Sequence, residues 1–88
     1  MILSSRQAAI LNALVSEYIR AASPISSDSL VRQAKLGISS ATLRTEMAVL
    51  EDAELIMRSH ASSGAVPSPL GYRHYVETGF ESSLAEGA

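Results

Sequence analysis

Apolar positions near the start of the chain recur with helical spacing. Ile10, Leu11, Leu14, Val15, Tyr18 and Ile19 fall at i, i+1, i+4, i+5, i+8 and i+9, which predicts a helix over residues 5–21 with one side on a core. Ser4 or Ser5 can cap it, and Arg6, Asn12, Ser16 and Arg20 supply the outer, polar side. Pro24 disfavours helical geometry at Ser23 and cannot itself continue a helix, so this element ends near Ala22. Ile25 then reads as a short extended piece. Ser26 and Ser27 precede a second helix over roughly residues 28–35, with Leu30, Val31 and Ala34 facing inward, Asp28 near the positive end of its dipole and Lys35 near the negative end. Leu36 and Gly37 close it, glycine suiting the left-handed conformation common past a helix end.

A third helix is expected to start near Ser40, because Ser39 and Ser40 stand ahead of good helix formers and a serine oxygen there accepts from first-turn N–H groups. Leu43, Met47 and Leu50 share a narrow arc, with Leu55 following as the chain leaves the helix; Ala41, Arg44, Thr45 and Ala48 occupy the opposite face. Beyond it, residues 55–59 suit a short strand, 61–64 a turn and 65–67 a returning strand whose proline belongs at an edge or an end. Ser68 followed by Pro69 is a helix start, and Tyr72, Tyr75 and Val76 are spaced to pack a short last helix back on the domain through Tyr72 or Tyr75. Residues 79–88 are expected to form a disordered tail.

Two helices joined by a glycine-containing turn make a helix-turn-helix, and a hairpin with a short helix after the third makes the arrangement a winged one. The fold class expected over residues 1–78 is therefore mainly α with a small β-hairpin: a winged helix-turn-helix, a three-helix core plus a wing.

With 88 residues there is room for one small domain, burying about 60 to 65% of the surface its unfolded chain exposes. The 47% of hydrophobic residues are interleaved with polar ones, and no run approaches the ~18 to 20 needed to span a bilayer. MILSSRQ lacks the pattern of a secretory signal and cysteine is absent, so a cytoplasmic protein away from membranes is expected. The net charge of −2 counts against a nucleic-acid partner, since phosphate neutralisation supplies most non-specific affinity. Its distribution softens the objection: Glu77, Glu81 and Glu86 lie near the end, leaving seven basic against six acidic residues in 1–76. A contact surface would have to be local, drawing on Arg44, Arg58, His60, Arg73 and His74.

The outer face of the third helix, small or hydrogen-bonding with one positive charge, can enter a DNA major groove; it also suits a plain solvated helix, and this segment alone does not decide. Arg44 can pair bidentately with guanine O6 and N7. Its rival role, an intrahelical ion pair one turn on, finds no acid at Ala48 or Val49. Ser40 and Thr42 can reach phosphate near the helix start, with capping the alternative duty for Ser39 and helix-start duty for Thr42. Ala41 can touch a thymine methyl or simply permit close approach, and Thr45 stands beside Arg44 on the same face. His60, Ser62, Ser63 and Gly64 form the wing tip, where short side chains and free N–H groups could meet phosphate, or a plain hairpin loop. Arg58 and Arg73 flank it and could steer the DNA backbone or pair with Glu54 and Glu77. No cofactor, metal site or catalytic group is expected: His60 and His74 lack metal-ligand spacing, and no phosphate loop or nucleophile motif is present.

RQAAILNALVSEYI at 6–19, SPISSDSL at 23–30, LGISSATLRTEMAVLEDAEL at 36–55 and SHASSGAVPSPLGYRHYV at 59–76 resemble the amino-terminal DNA-binding domain of the HrcA family of heat-inducible transcription repressors. The most specific parts are SSAT-L-R followed by M-A-x-L-E, and H-x-S-x-G-x-x-P leading into GYR-x-YV. The resemblance implies a repressor that binds double-stranded DNA as a homodimer, at an inverted-repeat operator of the CIRCE type upstream of chaperone genes, under control of the GroE chaperonin. Family members are far longer and carry a dimerisation domain after the winged helix. Thr45 and Glu46 stand where the family usually has Asn-Asp, Ala65 where the wing usually has arginine, Ser59 for a proline, and Leu70 and Asp28 for lysines. Several of these changes remove positive charge from the expected DNA side. The competing function is a winged helix that serves as a protein-interaction or dimerisation module without sequence-specific DNA binding.

Overall fold

A serine stands at the start of every helix. In this computed structural model, which describes residues 2–34, 36–58 and 64–87 with side chains through residue 78, the chain forms α1 (Ser5–Ala21), α2 (Ser27–Ala34), α3 (Ser40–Asp52), β1 (Ile56–Arg58), β2 (Ala65–Pro67) and α4 (Pro69–Gly87). The hydroxyl oxygens of Ser4, Ser26, Ser39 and Ser68 accept from the N–H groups of Gln7, Ser29, Thr42 and Gly71 at 3.1, 3.1, 3.1 and 3.0 Å. Each satisfies an amide that the first turn would leave without a partner. At α1 the arrangement is reciprocal, since the Gln7 side chain accepts from the Ser4 N–H at 3.1 Å.

The helices converge on one core. Ile10, Leu11, Leu14 and Val15 of α1, Leu30 of α2 and Leu43, Met47 and Leu50 of α3 are buried together with Ile25, Leu55, Ile56 and Ala65. β1 and β2 pair antiparallel, Ile56 opposite Pro67, Met57 opposite Val66 and Arg58 opposite Ala65. Ile25, the short extended piece, bridges Ala65 from the other side, through Ile25 N–H to Ala65 O at 2.9 Å and Ala65 N–H to Ile25 O at 2.8 Å. The hairpin is thereby fastened to the start of the helix-turn-helix, and the fold is the winged helix expected.

Three details depart from the periodicity. Ile19, assigned to the inner side of α1, is 58% exposed, because the last turn runs past the edge of the core. Asn12, assigned to the outer side, is part-buried, and its Oδ1 is enclosed without a hydrogen-bond partner among the described residues. α4 lies along that side of α1, with the Tyr18 and Tyr72 rings edge to face at 6.4 Å and the Ser16 and Tyr75 hydroxyls 3.3 Å apart. α4 also continues as helix to Gly87, through the stretch for which a disordered tail is expected.

α3 ends in a two-bond cap made without glycine. Glu54 takes a left-handed φ of 64°, its N–H donates to Glu51 O at 2.9 Å, and the Leu55 N–H donates to Leu50 O at 3.0 Å. These are the bonds of a Schellman motif. α4 is clamped on this bend: the Ser68 hydroxyl donates to Glu54 O at 2.6 Å and the Ser68 N–H donates to Leu55 O at 3.0 Å. Gly71 approaches so closely that a Cβ built on it would stand 2.1 Å from Leu55 O.

Candidate nucleic-acid interface

The side chains of α3 divide as the wheel requires. Leu43, Met47 and Leu50 are buried, whereas Ala41, Arg44, Thr45 and Ala48 are exposed, uncovered by the hairpin or by α1. Local chemistry fixes the first turns of this face. Ser39 is the N-cap, accepting from the Thr42 N–H, and its hydroxyl donates to Thr42 Oγ1 at 3.0 Å. Ser40 and Thr42 are part-buried at the helix start. Thr45 Oγ1 donates to the Ala41 carbonyl at 3.1 Å, the bond that threonine commonly makes one turn back in a helix. Arg44 has no ion pair among the described residues, so its guanidinium is available to an outside acceptor.

The other candidates do not all join it. Arg58, at the end of β1, pairs its Nε with Glu51 Oε2 at 3.0 Å instead of with Glu54. Both side chains are solvent-accessible, which limits the pair to at most about 1 kcal/mol. Glu51 was absent from the expected surface although it lies seven residues, two helical turns, after Arg44; the wheel alone would have put a negative charge on this face. Arg73 is exposed on α4, where it lines a hollow with Ala53, Leu55, Leu70, His74 and Glu77, at the end of α3 opposite Ser39. It therefore stands apart from the Ser39–Thr45 surface. The ion pair with Glu77, the alternative role for Arg73, is not formed among the described residues.

Gly64 is buried against Pro24, whose Cβ would be 2.8 Å from a Cβ built at Gly64. It belongs to the base of the hairpin and not to an open tip, because the bridge from Ala65 to Ile25 draws this segment against the core. Ala65, at the position where the resembling family usually has a wing arginine, is likewise fully buried and faces inward here. His60, Ser62 and Ser63 lie outside the described residues.

Comparison with known proteins agrees with this architecture. No family model matches the chain. It is 49% identical over 74 residues to the heat-inducible transcription repressor HrcA of Corynebacterium aurimucosum, 50% identical over 74 residues to that of Staphylococcus saprophyticus, and 43% identical over 84 residues to that of Clostridium botulinum. These matches cover 84%, 84% and 96% of this chain but 22%, 23% and 24% of the relatives, so the chain spans under a quarter of their length. A solved structure described as a hypothetical protein superposes with a TM-score of 0.86 at 35% identity, over 90% of this chain and 25% of that one. Relatives so named are transcription repressors and not enzymes, and no helix among the described residues is long and apolar enough to cross a membrane. In sequence the chain is homologous to the amino-terminal region of HrcA family members, and in fold it matches the solved structure.

Proposed function

We propose that this domain binds double-stranded DNA for a heat-inducible repressor, with residues 40–49 in the major groove and the outer part of the hairpin wing, beyond the buried Gly64 and Ala65, against adjacent backbone or minor groove. The observation that carries this reading is the outward face of α3, where Arg44 stands between small neighbours over a fully buried Leu43, Met47 and Leu50. The relatives' name as repressors supports it. The operator on this reading is an inverted repeat of the CIRCE type, met by a homodimer of the longer protein, in the cytoplasm and with the GroE chaperonin as regulator. Phosphate contacts come from the start of α3, from Arg58 once it leaves Glu51, and from the wing.

Titration of a labelled inverted-repeat duplex at several salt concentrations tests it. With about four phosphates contacted per domain, log K against log salt should slope at roughly −3 to −4. A flat response selects the second reading, a protein-interaction module. That alternative is favoured by an open groove of about 560 Å³ lined by Ile56, Met57, Pro69 and Leu70 and rimmed by Glu51 and Glu54, a surface unsuited to phosphate.

A further inference from the structure

We propose that Thr45 selects a thymine through its methyl group, as a specificity-determining contact beside Arg44. This rests on the reading that α3 enters the major groove. A hydroxyl has a single proton to donate. That of Thr45 is committed to the Ala41 carbonyl at 3.1 Å, so the side chain has no donor left for the acceptors that purines present in the groove, N7 and O6 of guanine or N7 of adenine. The other heavy atom on its Cβ is the methyl, carried by an exposed residue of this face.

The neighbours leave that methyl accessible. Ala41 lies one turn before Thr45 and Ala48 one turn after it, both exposed and both with a single side-chain carbon, so neither holds a base edge away from α3. Thymine alone among the four bases carries a methyl in the major groove, and an apolar side-chain contact there is the recognised way of distinguishing it. Arg44, exposed and without an ion pair among the described residues, supplies the donor contact to a separate base or phosphate, so that Thr45, with no donor free and only hydroxyl lone pairs beside its methyl, favours the base that presents a methyl.

The test uses the 88-residue chain as it stands. Selection from randomised duplexes gives its preferred site, and each thymine of that site is then replaced by deoxyuridine, which removes only the 5-methyl group. One replacement should weaken binding about fourfold, the worth of one buried methyl. The same loss should persist in Thr45→Val, which keeps the methyl and lacks the hydroxyl, and disappear in Thr45→Ser, which does the reverse. Thr45→Asn should move the preference at that position to adenine, whose N6 and N7 an amide can bind bidentately. A thymine dependence that survives in Thr45→Ser, or that Thr45→Val abolishes, overturns the methyl assignment. Binding with no deoxyuridine effect at any position overturns it while leaving the DNA reading intact, whereas failure of the unaltered chain to bind any duplex at low salt overturns both.

Discussion

Arg44 has almost no competition for its charge. Its immediate neighbours on the exposed face, Ala41, Thr45 and Ala48, carry none; Glu51, two turns further along, is paired with Arg58, and the pair of Arg20 with Glu17 lies on α1. In a chain of net charge −2, the one guanidinium on this face of α3 supplies a large share of the attraction to phosphate or guanine there. Arg44→Ala should therefore weaken binding to an operator duplex and relax the preference at one base pair by about 1 to 3 kcal/mol, with the melting temperature nearly unchanged. Loss of equal size on every sequence would reassign Arg44 to phosphate. Met47, three residues further and turned into the core, is 1% exposed and packs among Leu43 and Leu50. Met47→Ala should lower unfolding free energy by about 2 to 5 kcal/mol in denaturant titration, and a melting curve like that of the parent would contradict its core position.

At the scale of the element, the ends matter more than the interiors. α3 stops because Glu54 adopts a left-handed backbone that lets its N–H and that of Leu55 return to Glu51 and Leu50. A side chain in that conformation costs on the order of 1 kcal/mol, which glycine avoids. Glu54→Gly should thus raise the stability of the domain by about 0.5 to 1 kcal/mol in chemical unfolding, and a decrease would mean that the glutamate side chain has a partner of its own. Helix starts were readable from the chain because each rests on a local signal, a serine three residues before the amide that it serves; α1 and α3 begin where that signal places them. The left-handed cap at the stop of α3 was not readable, since glutamate is a poor marker of a left-handed turn and the motif is completed by Leu55 reaching the core. The exposure of Ile19 and the enclosure of Asn12 escaped for a related reason: helical spacing gives the angle of a residue, but not which neighbouring element covers it.

Across the whole molecule, what escaped the sequence is contact between distant segments. The outward face of α3 was legible because it follows from one helix and its apolar arc. The partner of Arg58, the buried setting of Gly64 and Ala65, and the placement of Arg73 at the far end of α3 all depend on how strands and helices meet. Two glycines mark the closest of these meetings, Gly64 against Pro24 and Gly71 against Leu55. At Gly71 the obstacle is a backbone carbonyl held by the Ser68 N–H, so it cannot turn aside as a flexible side chain would. Gly71→Ala is expected to cost about 3 kcal/mol or more, measured as a fall in thermal midpoint, and a tolerated alanine would show that the two helices can separate.

That seam has a mechanical meaning. With no room for one extra carbon between the bend after α3 and the first turn of α4, these two segments cannot move closer together, and the two Ser68 hydrogen bonds to Glu54 O and Leu55 O hold them from moving apart. A displacement imposed on the first turn of α4 is therefore felt first at the C-terminal end of α3, by way of Ser68.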